Sequence, residues 1–377
     1  MPEHLSAATA QLAMILRDEV PVDLANRLAP ESVFLNAAAE HGIEPLLRQH
    51  LKTTGAWERV PADIRSTLDE RTRREVALEE IRKSETRAVF DSLSEAAVSA
   101  LLLKGGALAY THYATPWLRP RRDADVLVRK RDRELASGIL ERLGYERINS
   151  LSRDAVHTQW MFRRCRKSVS HVVDLHWAVS NRPLFARTLS FDELLADARP
   201  IAALGANVCG PGPVHALLLA CIHRVAHHND CDNLLWLYDI RLLTERMTIP
   251  EWKTFWNLAT EKQVASLCAK TLALTDRYVG CVNPPQAPSA IVPRHHTNEP
   301  SARYLGGNQS AAHSLLLDVK DSQSYPARVR LLASHLFPDA AYMRAKYGAR
   351  GQAALALAYA RRSASAVWRL VTGSAAA

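Results

Sequence analysis

Two aspartates stand one residue apart in Asp123-Ala124-Asp125-Val126-Leu127-Val128, and a third acid follows in Val172-Val173-Asp174-Leu175-His176-Trp177. Side chains two apart on a strand share a face. Strand spacing therefore predicts that Asp123 and Asp125 project together, and that Asp174 and His176 do the same. Carboxylates held side by side repel one another unless a cation lies between them. A hard divalent cation such as Mg²⁺ takes oxygen ligands, typically one or two carboxylates plus substrate phosphates. An isolated Asp-x-Asp is more often an acidic strand end in solvent, so its context decides.

That context is an apolar run, Val98 to Leu103, then Lys104-Gly105-Gly106, then Ala107-Leu108-Ala109-Tyr110. The pattern predicts a buried strand, a turn and a helix start. A glycine pair there permits a tight turn and lets a phosphate approach backbone N–H groups. Three carboxylates on adjacent strands could hold two divalent ions, one at the attacking oxygen and one at a leaving pyrophosphate. Arg119, Arg121 and Arg122 lie close to the first aspartate pair, and guanidinium groups suit triphosphate oxygens. Arg163, Arg164, Arg166 and Lys167 read as a solvated hairpin tip before the Asp174 strand.

With those residues in view, the chain resembles the bacterial family described as uncharacterised nucleotidyltransferases, within the DNA-polymerase-β-like superfamily. The resemblance rests on Leu103-Lys104-Gly105-Gly106-Ala107-Leu108-Ala109, Arg119-Pro120-Arg121-Arg122-Asp123-Ala124-Asp125, Val173-Asp174-Leu175-His176-Trp177 and Trp236-Leu237-Tyr238-Asp239. It covers most of the chain and is weakest between about 280 and 325. It implies that Asp123, Asp125 and Asp174 are catalytic metal ligands for Mg²⁺ or Mn²⁺. It also implies that Gly105 and Gly106 cradle a nucleoside triphosphate, with Lys104, Arg119 and Arg122 supplying positive charge. Two departures stand out: Gly106 replaces the serine common in the superfamily, and Arg122 replaces a small residue before the first aspartate.

The positioning elements are mostly helical. Residues 1–97 read as an α-helical region, with one long helix or two collinear ones from Ala62 to about Ser94, including Val76 on its apolar pattern. Asp132 stands where it could cap a helix bearing Leu135, Ile139, Leu140 and Leu143, closed by Gly144. Residues 178–213 read as an irregular link punctuated by prolines. A helix then carries Val214, Leu217, Leu218, Cys221, Ile222 and Val225. His223 and His227, one turn apart, with His228 and Cys231 nearby, invite a zinc reading, but no fourth-ligand pattern supports it. The resemblance places this helix beside the substrate, with His176, His223, His227 and Asp239 on the substrate side. Asp239 among apolar residues otherwise reads as a structural ion pair. Residues 282–309 read as a loop, and helices resume from Tyr325 to about 371.

The expected fold is α+β, a small mixed sheet over 98–180 embedded in a mainly helical protein, with 181–377 completing the cleft. Length (377 residues) and 47% hydrophobic content suit a globular chain of two or three modules. Six scattered cysteines with no C-x-x-C pair suit free thiols, and the absence of a signal peptide or an apolar span predicts a cytoplasmic location without membrane insertion. The net charge of +9 permits attraction to nucleotides, nucleic acid or acidic protein, and the basic residues read as spread along the chain. The expected reaction moves a nucleoside monophosphate, most simply AMP from ATP, to an acceptor: a protein, a modified peptide, a small molecule or an RNA end. Two other classes stay open, a non-catalytic peptide- or protein-binding accessory protein and a basic nucleic-acid-binding module.

Overall fold

The computed structural model describes residues 6–148, 158–166, 169–227, 230–280, 298–306, 311–338 and 340–372. Its centre is a five-stranded mixed sheet: β1 (Ala100–Leu102), β2 (Asp123–Val128), β3 (Glu146–Ile148), β4 (Gln159–Arg166) and β5 (Val169–His176), in the order β1-β2-β5-β4-β3. β2 and β5 run parallel, and every other pair is antiparallel. The parallel register sets Asp125 beside Asp174 and Leu127 beside His176. Strand alternation then sorts the faces. Ala124, Val126, Val128, Val173 and Leu175 pack with Val89, Phe90 and Leu93 of the long helix Ala62–Glu95 and with Ala136, Ile139 and Leu140 of the helix Arg133–Arg142.

The opposite face carries the acids and Leu127. Leu127 belongs to a larger core that gathers residues from Leu12 to Leu317, including Leu217, Ile222, Leu237 and Phe255. Burying so many aliphatic and aromatic side chains, at roughly 1.5–3 kcal/mol each, is what holds the surrounding helices against the sheet. The fold is therefore α+β, mainly helical around a small mixed sheet.

Several local expectations change. Asp132 does precede the Arg133–Arg142 helix but makes no side-chain cap. It closes a 3-10 turn in a helical conformation, whereas a capping side chain folds back from extended backbone. Leu135 and Val76 are exposed, so neither belongs to the core. The stretch 178–213 is not an irregular link throughout. Ser190 and Glu193 form a capping box at the helix Phe191–Ala196, and β6 (Arg199–Pro200) pairs with β7 (Cys209–Gly210). Arg163, Arg164 and Arg166 lie on β4 itself, and Arg164 bonds Glu85 at 2.9 Å. Lys167, His228, Cys281 and most of the proline-rich stretch after it lie outside the described residues.

Candidate functional site

The turn after β1 is built differently from a glycine hinge. The helix starts at Lys104, and it is Lys104, not a glycine, that takes the left-handed φ of +50°. Gly105 and Gly106 sit in the first helical turn, where backbone N–H groups lack intrahelical acceptors. Their missing side chains make room. A Cβ on Gly105 would come within 2.7 Å of the Arg119 guanidinium, and one on Gly106 within 2.9 Å of Leu102 Cδ1.

The left-handed entry leaves Lys104 Nζ 2.6 Å from Asp125 Oδ1. The same oxygen is 2.8 Å from His176 Nε2. Gln159 on β4 donates to Asp174 Oδ2 at 3.4 Å. Asp125, Asp174 and His176 are all buried, and their ligand atoms lie within 4.8 Å of one another. Asp123 is not one of that group; it occupies the exposed first position of β2. His176, expected on the substrate side, thus joins Asp125 and Asp174 in this close group.

Charge in the site is unequally shared. Burial alone would raise Asp125, but the Lys104 ammonium and the His176 hydrogen bond outweigh it and hold Asp125 well below the usual carboxylate range. Asp174 is pushed up to about 7 by burial, then by the charges of Asp125 and Asp123. Asp123 keeps an exposed surface, yet burial on its protein side and the Asp125 charge also raise its carboxyl. Burial, then Lys104, push His176 down, so its imidazole is neutral and able to ligate. Asp174 Oδ1 and His176 Nδ1 are buried, and among the described residues neither has a hydrogen-bond partner. An orphaned carboxylate oxygen among crowded acids fits a divalent cation.

The neighbouring arginines are otherwise engaged. Arg119 forks onto buried Asp239, with Nη2 to Oδ2 at 2.7 Å and Nε to Oδ1 at 3.1 Å, and the Tyr113 hydroxyl donates to the same carboxylate at 2.7 Å. Arg121 forks onto buried Glu79 at 2.7 Å through both nitrogens. These clasps tie the loop before β2 to the helix Leu234–Glu245 and to the long helix. Asp239 and Glu79 are partners of arginines, and of the three arginines only Arg122 is exposed.

A cleft of about 1440 Å³ lies over the acidic face, lined among others by Lys104, Gly105, Arg122, Asp123, Asp125 and Asp174. His223, His227 and Trp236 also border it. The two histidine rings are 5.1 Å apart, and among the described residues they join no metal-ligand group with Cys231. A mainly apolar side pocket of about 190 Å³ shares Lys104, Gly105 and His223 with the cleft and runs between Ala107, Leu108, Ile201, Pro213 and Leu219. Sequence reasoning missed this pocket and Gln159. Gln159 reaches the site through the antiparallel β4–β5 register, which sets it opposite His176 and which no local sequence pattern carries.

This constellation of acids lies on a parallel strand pair, beside a glycine-opened helix, within the stretch that a family model matches. A model of the uncharacterised nucleotidyltransferase family matches residues 29–280. The chain belongs to that family. No curated protein matches it. The nucleotidyltransferase match spans the sheet, the long helix and the clasp to Asp239, and stops before the last helices.

Proposed function

We propose that this nucleotidyltransferase-family protein transfers a nucleoside monophosphate, most simply AMP from ATP, to an acceptor nucleophile and releases pyrophosphate. The observation that carries this is the buried Asp125–Asp174–His176 group, whose two acids line the cleft beside the first turn of the Lys104–Thr111 helix. The triphosphate lies against that turn, where free N–H groups and the positive helix end favour anions. Lys104 and Arg122 supply charge to its oxygens, while Arg119 and Arg121 hold the loop that carries Asp123. Asp125 and Asp174, with His176 or Asp123, hold Mg²⁺ or Mn²⁺. When bound, the ion polarises the α-phosphate and lowers the charge repulsion of the incoming oxygen. The acceptor oxygen bonds to the α-phosphorus, the bond to the pyrophosphate oxygen breaks, and Asp174 takes the acceptor's proton. The region 98–180 would then be the catalytic core, with 1–97 and 181–377 framing the cleft.

Calorimetric titration of ATP with Mn²⁺ or Mg²⁺ into wild type, Asp125→Asn and Asp174→Asn tests the reading. Metal-dependent nucleotide binding by wild type, weakened on the order of 100-fold in each variant, is expected, since even indirect supports of a metal site cost 10- to 100-fold. A well-folded wild type that binds no nucleoside triphosphate with either ion would sink it and leave the accessory-protein reading.

A further inference from the structure

The chain's positive charge is not evenly spread. Residues 322–377 contain eight of the 48 Lys and Arg and only one of the 39 Asp and Glu, Asp339, which is a net +7 out of +9. This stretch lies wholly beyond the family match. Its described part forms the helices Tyr325–Leu336, Ala340–Tyr347 and Gln352–Thr372. Arg328, Arg330, Arg344, Lys346, Arg350 and Arg361 are all exposed there.

The same helices leave apolar side chains in water. Leu357 is 70% exposed, Phe337 46% and Val329 45%. On the helix Gln352–Thr372, Ala353, Ala356, Leu357, Ala360 and Ala364 follow helical spacing along one side and are all exposed. Among the described residues, Met343, Ala349, Leu355 and Ala358 form a small buried cluster on the inner side. At the seam with the body, Asp321 pairs with Arg303 at 2.6 Å and Asp318 with Arg182 at 3.6 Å.

We infer that these C-terminal helices lay the protein on an anionic lipid surface. Dense cationic charge complements acidic headgroups, and an exposed aliphatic stripe beside it has no use against phosphates in water but does in the headgroup–acyl boundary. No described helix is long and apolar enough to cross a membrane, and this contact needs none to do so. Nucleic acid would also answer the charge, and the exposed tyrosines could stack on bases. The aliphatic residues Val329 and Leu357 and the alanine stripe decide for lipid. The inference is independent of nucleotide transfer.

The test is co-sedimentation of the full chain with phosphatidylcholine vesicles, with and without about 30% phosphatidylglycerol, at roughly 0.1 M salt where screening is moderate. Binding to the anionic vesicles at least about tenfold above the neutral ones is expected. Arg344→Gln/Lys346→Gln/Arg350→Gln should weaken it on the order of 100-fold, and Leu357→Ser by several-fold. Circular dichroism matching wild type certifies each variant as folded. Three results would overturn the inference: no vesicle binding by folded wild type, full binding retained by Leu357→Ser, or retention of poly(U) RNA without vesicle binding, which would assign the patch to nucleic acid.

Discussion

Two groups of carboxylates stand near the cleft, and they are treated in opposite ways. Asp239 and Glu79 each receive a bidentate arginine, and Tyr113 adds a further donor to Asp239. In the group of Asp123, Asp125 and Asp174, Lys104 and His176 reach Asp125, Gln159 reaches Asp174 at 3.4 Å, and among the described residues Asp174 Oδ1 has no hydrogen-bond partner. In the first group the desolvation cost of each charge is offset within the fold. In the second the repulsion is left standing, which is worth carrying only where a ligand relieves it. The difference separates charges that hold the loop before β2 from charges that, under the proposed function, take a cation.

The comparison is broken most severely from the clasp side. Arg119→Ala strands Asp239 as a buried, unpaired charge and should cost about 3–5 kcal/mol in urea-induced unfolding. Arg119→Met combined with Asp239→Leu removes both charges and should recover most of that loss. Equal losses in the single and double variants would show that the clasp is not what Arg119 contributes. By contrast, Asp174→Asn should leave stability unchanged or raised, since burial and the charges of Asp125 and Asp123 already disfavour its ionised form.

A smaller effect is expected at Gly105, which links the two groups. Its absent Cβ is what lets the Arg119 fork lie against the helix start. Gly105→Ala should cost about 1–3 kcal/mol by overpacking, read as a shift in the urea midpoint. Because Arg119 is held by both Asp239 oxygens, it cannot simply swing aside. An unchanged midpoint would mean the loop yields freely, and the glycine would then answer to phosphate approach instead.

The asymmetry also explains how far the sequence could be read. The Asp123–Asp125 and Asp174–His176 spacings were visible because strand alternation is local, and the long helix was visible through its periodicity. The parallel pairing that sets Asp125 beside Asp174 joins segments about fifty residues apart, and no local signal carries it. Arg119 and Asp239 are farther apart still, so Arg119 looked like a phosphate ligand when seen only beside Asp123. Lys104 misled in another way: a glycine pair suggests where the backbone turns, yet the left-handed residue is the lysine just before it. The charge concentration after residue 322 needed no structure, but its meaning depended on learning that the aliphatic residues between the arginines are exposed.

The gentlest probe of the comparison is pH, because it titrates the strained group while leaving the clasps intact. Asp174 sits at about 7 without a cation, raised by burial and by Asp125 and Asp123. A cation binds the ionised carboxylate and competes with its proton. Below pH 7, therefore, the apparent Mn²⁺ affinity should rise by up to about tenfold per pH unit as pH increases, and level off above it. At pH 6 the affinity should stand roughly tenfold below the plateau, and titration calorimetry from pH 5.5 to 8.5 reads the curve directly. Asp174→Asn should flatten this profile as well as lower it. A wild-type profile flat down to pH 5.5 would place Asp174 in the ordinary carboxylate range, and the contrast between satisfied and strained acids would lose its central member.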